Sequence, residues 1–401
     1  MKRRQVIQAI ASALPIAGGI YSPGVIAQSK PKLAVRGPLS MSGPFASVGT
    51  LVHEGNVLGA EFFSRSLPVT MDYATIDDQS DPGKGVRKVV EAIEVDKVRF
   101  FSGTTNSASA LAVGKEVYKA GGVYVNQAGA DSVTGADCNK STFRWPVATF
   151  GCVEQSVRPL IKMNPQAKRW YTITGQYVFG EALLANTKRV LAESGCEHVG
   201  NSYHSIAERE FSGYLASALA AKPDVLCILN FGNQTLEVIR AALSFGMSRN
   251  AIIIAPWSTG LDQFDALGAD NMAGLYFGGL YWHDLKTPGN QQFLRLYAEK
   301  NKNKPPYAVA SAYAAMQMIA EGIKKANSVD PAAVIKAMEG LEYEGLTGKE
   351  RIRAGDHQVL RDFYLMKGKP KSAMRDAADY VDVVSSGQSF LPLEQTGCRM
   401  A

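Results

Sequence analysis

Short apolar runs alternate with segments of helical period along almost the whole of this chain, and that alternation restricts it to a parallel α/β architecture. The runs cover residues 33–36, 69–74, 98–101, 123–126, 170–174, 225–230 and 252–255. Between them, Val86, Val89, Val90 and Ile93 share one helix face, as do Leu183, Leu184, Thr187, Val190 and Leu191. Leu236, Ile239, Ala242 and Leu243 repeat the pattern. Strands this apolar are buried on both sides, so helices must cover both faces of the sheet. The strand-turn-helix unit recurs in each half, with 98–101 before 107–118 and 225–230 before 235–245. Ligands of such sheets bind beyond the carboxyl ends of the strands.

The first unit leads from residues 33–36 into Gly37-Pro38-Leu39-Ser40-Met41-Ser42-Gly43-Pro44-Phe45 and then a helical stretch at 49–63. Backbone N–H groups and hydroxyls at a helix N-terminus are suited to an anion or a ligand carboxylate. The turn glycines, Gly37 and Gly43, do not have the G-x-G-x-x-G spacing of a dinucleotide site. A small-molecule crevice is expected there, with neither nicotinamide nor flavin.

The N-terminus reads as an export signal: Lys2, Arg3 and Arg4, a mainly apolar stretch, then Val25-Ile26-Ala27 as a small-residue cleavage site. Pro15, Gly18 and Gly19 interrupt the apolar stretch, against a permanent span of ~20 apolar residues. The arginine pair leaves the twin-arginine and general secretory routes both open. Removing 27 of the 401 residues leaves 374, enough for two domains, and lowers the net charge from +6 to +3. An excess that small, without clustered Lys or Arg, gives no footprint for nucleic acid. The five cysteines contain no C-x-x-C pair. Cys227 lies in an apolar run and reads as a buried thiol, whereas Cys138 and Cys398 sit in polar, loop-like sequence that an exported protein can oxidise to a disulfide.

Other clusters fail the spacing their chemistry needs. Counting from Asp77, a calcium loop would need glycine at Pro82 and glutamate at Lys88. Asp81 instead reads as the cap of a helix that starts after Pro82. The five histidines have no partner at zinc spacing. Ser107 lacks the G-x-S-x-G elbow of a hydrolase and reads as a helix cap facing the crevice. No cofactor and no metal is expected. Composition shifts at Phe143-Arg144-Trp145-Pro146, at Gly278-Gly279-Leu280-Tyr281-Trp282, and at 353–358 ahead of Phe363-Tyr364-Leu365-Met366 mark chain crossings between two lobes that would hinge.

Over nearly all of the mature length, the chain resembles the solute-binding component of ABC importers, in the branched-chain and hydrophobic amino-acid (leucine-binding) receptor family. The matching segments are Gly37-Pro38-Leu39-Ser40-Met41-Ser42-Gly43-Pro44, Asp77-Asp78-Gln79-Ser80-Asp81-Pro82-Gly83 and Ser102-Gly103-Thr104-Thr105-Asn106-Ser107. Tyr177-Val178-Phe179-Gly180, Tyr281-Trp282 and Phe390-Leu391-Pro392-Leu393 follow in the same order. The resemblance implies an α/β fold of two Rossmann-like lobes joined by a three-crossing hinge, the type I periplasmic-binding fold. Its divisions are a leader at 1–27, an N-terminal lobe at 28–145 plus 281–357, and a C-terminal lobe at 146–280 plus 358–401.

The family's ligand positions transfer as follows. The serine that holds the ligand carboxylate falls on Ser107, beside Asn106. The backbone-and-hydroxyl segment falls on Ala128, Gly129 and Ala130, the last without the hydroxyl usual in amino-acid binders. The aromatic that closes over the ligand falls on Phe179, with Tyr177 as neighbour. The carboxylate that pairs with the ligand's ammonium falls near Trp257. An unpaired buried ammonium would cost several kcal/mol, so Trp257, Phe179, Phe45, Tyr281 and Trp282 are read as a flat apolar slot for an aromatic or aliphatic acid. The expected partners are a small-molecule ligand and an ABC permease and ATPase complex, with no nucleic acid, the protein itself being a periplasmic monomer. A ligand sensor for a signalling partner, and an enzyme on a Rossmann-like sheet, are the alternatives.

Overall fold

The computed structural model describes residues 30–104 and 106–400; the leader expected at 1–27 lies outside them. The first lobe is built on β1 (Lys32–Leu39), β2 (Thr70–Asp77), β3 (Phe100–Gly103), β4 (Val123–Asn126) and β5 (Thr142–Arg144), ordered β2-β1-β3-β4-β5 with every pair parallel. β3 and β4 are buried at every position, as strands covered on both faces must be. The crossovers are α1 (Ala46–Ser64), α2 (Pro82–Glu94) and α3 (Ser107–Lys119). Asp81 caps α2 as expected, its carboxylate accepting from Lys84 N at 2.8 Å with Pro82 in the first turn.

The second lobe repeats the winding. Its chain runs α4 (Thr149–Met163), β6 (Arg169–Gly175), α5 (Val178–Glu193), β7 (Glu197–His204), α6 (Ser212–Ala220), β8 (Val225–Leu229), α7 (Asn233–Ser244), β9 (Ile252–Ala255), α8 (Leu261–Leu267) and β10 (Tyr276–Gly279). The parallel strands lie in the order β7-β6-β8-β9-β10. The chain then returns to the first lobe as α9 (Pro288–Ala298), α10 (Tyr307–Ala326) and α11 (Pro331–Met338). α10 packs along α1, and a Cβ at Gly55 would lie 2.2 Å from the Val309 carbonyl. Only glycine permits helices that close.

Not every strand is parallel. β11 (Glu342–Gly345), β12 (Gly348–Ile352) and β13 (Val359–Leu360) form an antiparallel sheet, and β14 (Phe363–Gly368) and β15 (Val381–Gly387) add antiparallel strands beside β10. β7 escapes a sequence reading because Glu-His-Val-Gly-Asn-Ser-Tyr-His carries no apolar run; as an edge strand it is covered less than its neighbours.

Three passages link the two large sheets: after β5, after β10, and between β13 and β14. One buried cluster touches all three. The Arg361 guanidinium lies 3.5 Å over the Trp145 ring and donates to the Leu280 carbonyl. Trp145 Nε1 donates to Glu350 at 2.7 Å, and that carboxylate also accepts from Tyr343 OH at 3.0 Å and from Thr347 N and Oγ1 at 3.0 and 2.8 Å. Beside it, Arg144 donates from Nε to Gln358 at 2.8 Å and from its Nη atoms to Ala130 O and Thr134. Burial lowers the Arg144 pKa to about 10, against the opposing pull of Asp131 and Asp356.

Beyond β15 the tail leaves the second lobe. Gln155 Nε2 donates to Ser389 at 2.6 Å, Arg353 Nη1 donates to Leu391 O at 2.8 Å, and Cys398 is disulfide-bonded to Cys138 in the first lobe, the pairing expected from the sequence. Cys227 is a buried free thiol. Among the described residues, no helix is long and apolar enough to cross a membrane.

Candidate functional site

Both sheets point the carboxyl ends of their strands at the gap between the lobes, and the candidate residues stand just past those ends. α3 begins at Ser107, but its cap is Asn106, whose Oδ1 accepts from Ala108 N at 2.7 Å and Ser109 N at 3.3 Å. The capping role expected of Ser107 therefore belongs to its neighbour. The Ser107 hydroxyl oxygen instead accepts from Ala130 N at 3.4 Å.

A cavity lies between the lobes. Ser107 and the segment after β4, Gln127, Ala128 and Gly129, line it from the first lobe. Tyr177 and Phe179 after β6, Phe231 after β8 and Trp257 after β9 line it from the second. The rings pack on one another: Phe179 meets Trp257 edge-on at 5.0 Å and Phe231 at 5.9 Å, and Tyr177 lies 5.9 Å from Phe179. Phe45, from the first lobe, reaches Tyr177 at 6.0 Å and Phe231 at 6.2 Å, and so backs the aromatic wall.

The remaining space is about 10 Å³, room for a single water. A Cβ on Gly129 would lie 2.4 Å from Phe179 Cε2 and 2.8 Å from Trp257 Cη2. Any larger solute is therefore admitted only when these rings lift off the Gly129 backbone. Gly129→Ala is expected to prop the lobes apart at a cost of ~1–3 kcal/mol to the closed form. Small-angle scattering should give this variant a larger radius of gyration than wild type; an unchanged radius would mean that the gap has slack.

Among the described residues, no carboxylate lines the cavity. Three donors on its lining residues, Gln127 Nε2, Tyr177 OH and Trp257 Nε1, are buried without a partner among the described residues. Burial pushes the Tyr177 pKa well above the ordinary phenol value, so its hydroxyl stays neutral and keeps its proton. The wall thus offers apolar faces and neutral donors, which suits a flat solute rich in acceptors.

Other expected site residues lie elsewhere. Tyr281 donates to Asn290 Oδ1 at 2.7 Å and packs on Phe293, so its hydroxyl is engaged away from the cavity. Trp282 is packed 5.8 Å from Phe264 in the second lobe's core. Ala130 lies outside the lining, its carbonyl held by Arg144. The polar loop after β1 does not present its donors to a ligand either. Met41 N and Ser42 Oγ donate to Asp77, both at 3.0 Å, and Ser40 Oγ donates to Asp78 at 2.7 Å. The carboxylates at the end of β2 take the place of the expected anion. Conversely, Gln127 and Phe231 were not expected, although each stands one or two residues past a strand end, where ligands of such sheets bind.

Residues 37–373 match the family model described as periplasmic binding protein. A Pseudomonas aeruginosa leucine-, isoleucine-, valine-, threonine- and alanine-binding protein is 22% identical over 353 residues, covering 86% of this chain and 91% of its own. The solved structure of an amino acid ABC transporter substrate-binding protein from Pseudomonas fluorescens Pf-5 is 49% identical, with a TM-score of 0.88 over 93% of this chain and 100% of its own. A Rhodopseudomonas palustris solute-binding protein in complex with benzoate has a TM-score of 0.80 at 21% identity, covering 92% of this chain and 99% of its own. The strand order shared by the two sheets, the three passages between them and the match along most of its length place this chain in the periplasmic binding protein family, with the leucine-binding-like type I fold.

Proposed function

We propose that this protein is the solute-binding component of an ABC importer, a non-enzymatic receptor exported to the periplasm by a cleaved leader at residues 1–27. Its lobes, residues 28–145 with 281–357 and 146–280 with 358–401, close on a small organic acid and deliver it to a membrane permease and ATPase. An aromatic or aliphatic carboxylate is favoured over a branched-chain amino acid. Ser107 and the backbone of Ala128 and Gly129 receive the carboxylate, and Tyr177, Phe179 and Trp257 cover the rest. Ligand that touches both lobes only in the closed form shifts the population toward closure.

The observation that carries the ligand class is the lining itself, four aromatic residues and no acid among the described residues. An ammonium group closed into it would remain unpaired, at a cost of several kcal/mol. The same fold holds benzoate in the R. palustris protein. The P. fluorescens relative is named for amino acids, so leucine is the proper competitor. Calorimetry of the mature protein should show heat with benzoate-type acids; tight binding of leucine and none of the acids would overturn the assignment. Ser107→Ala is expected to weaken an acid ligand by ~1–3 kcal/mol. Unchanged affinity in that variant would remove Ser107 from the site.

A further inference from the structure

Gln127 is held at one end only. The Ser311 hydroxyl, fully buried on α10, donates to Gln127 Oε1 at 2.8 Å. The amide oxygen is thereby engaged, and Nε2 remains a buried donor without a partner among the described residues, on a side chain that lines the cavity. Across the cavity, the Tyr177 hydroxyl and Trp257 Nε1 stand in the same condition. These donors come from both lobes and are additional to Ser107, which takes the carboxylate in the reading above. A buried donor left unpaired costs ~1–3 kcal/mol, so an acid with a bare hydrocarbon end would close the lobes over several such penalties. An acid carrying a second acceptor would relieve them.

Resting on the organic-acid reading of the cleft, we propose that Gln127, oriented by Ser311, is a specificity-determining residue that selects acids bearing a second hydrogen-bond acceptor, such as a ring hydroxyl, away from the carboxylate. Gln127 supplies the first lobe's donor to that group, and a hydroxyl oxygen, with two lone pairs, can take one more from Tyr177 or Trp257 of the second lobe. A site built to hydrogen-bond a polar substituent discriminates against the analogue that lacks it far more strongly than an apolar pocket does. Ser311 acts through Gln127 as a positioning residue, because without it the amide is free to turn its oxygen toward the ligand.

The test is calorimetry of the full mature chain with 4-hydroxybenzoate, benzoate and leucine, on wild type, Gln127→Leu and Ser311→Ala, with thermal melting to verify folding. Wild type should bind 4-hydroxybenzoate at least ~10-fold tighter than benzoate. Gln127→Leu should bring the affinities of the two acids within about threefold of each other. Ser311→Ala should lose part of the same ratio, and carries the test alone if leucine at 127 prevents folding. Acids that bind with a ratio unchanged by both variants would overturn the role of Gln127 and leave the organic-acid reading standing. Leucine binding without either acid, or no binding by any of the three, would overturn that reading and this inference with it.

Discussion

Glu350→Ala is expected to destabilise the protein by about 3–5 kcal/mol, the cost of breaking a buried charged cluster from one side. Glu350 is 1% exposed and accepts from Trp145, Tyr343 and Thr347. Its loss leaves the Trp145 and Tyr343 donors unpaired and removes the carboxylate that offsets the buried charge of Arg361. Burial already lowers the Arg361 pKa from its ordinary value, and Glu350 is the first group that opposes the shift. The cluster joins Trp145, Leu280 and Arg361, one residue from each passage between the lobes. The variant should therefore loosen the hinge as well as lower the urea midpoint. Glu350→Gln, which keeps the shape and part of the acceptor capacity, should fall between. A shift in Glu350→Ala equivalent to less than about 1 kcal/mol would show that the cluster is replaceable.

Cys398→Ser is expected to cost about 2–4 kcal/mol. The bond closes a loop of 260 residues, so its loss restores a large conformational freedom to the unfolded chain. It also ties the tail, which crosses from Ser389 on α4 to Leu391 on Arg353, back to the first lobe. The urea midpoint of the variant should fall to that of wild type under reductant. Equal midpoints for oxidised and reduced wild type would mean that the tail is held by its other contacts.

The residues differ in how far their neighbours in the chain announce them. Val123-Tyr124-Val125-Asn126 and Val225-Leu226-Cys227-Ile228-Leu229 are strands on any reading, because a run that apolar finds its minimum only in a sheet covered on both faces. Ser107, Ala128, Gly129, Tyr177, Phe179 and Trp257 were implied by the resemblance to the receptor family, and the structure places them around one cavity. Asp81 declared its capping role by standing before Pro82. Tyr281 and Trp282 gave no comparable sign. An aromatic pair at a crossing packs equally well in a hinge, a core or a site, and the choice depends on Asn290, Phe293 and Phe264, which are near in space and not adjacent in sequence. The loop at 40–42 misled for a related reason, since its donors answer to Asp77 and Asp78, 35 or more residues away.

Local chemistry determined the strands and helices from which the doubly wound sheets are built, the Asp81 cap and the polar, loop-like setting of Cys138 and Cys398, because periodicity, capping and exposure act within a few residues. Only the tertiary structure decided which donors remain unpaired, that Gly129 lies under Phe179 and Trp257, and that Gln127 is oriented by Ser311 from a helix 184 positions further on. Hydrogen-bond satisfaction and close approach are properties of groups brought together by the fold, and distance along the chain carries no information about them.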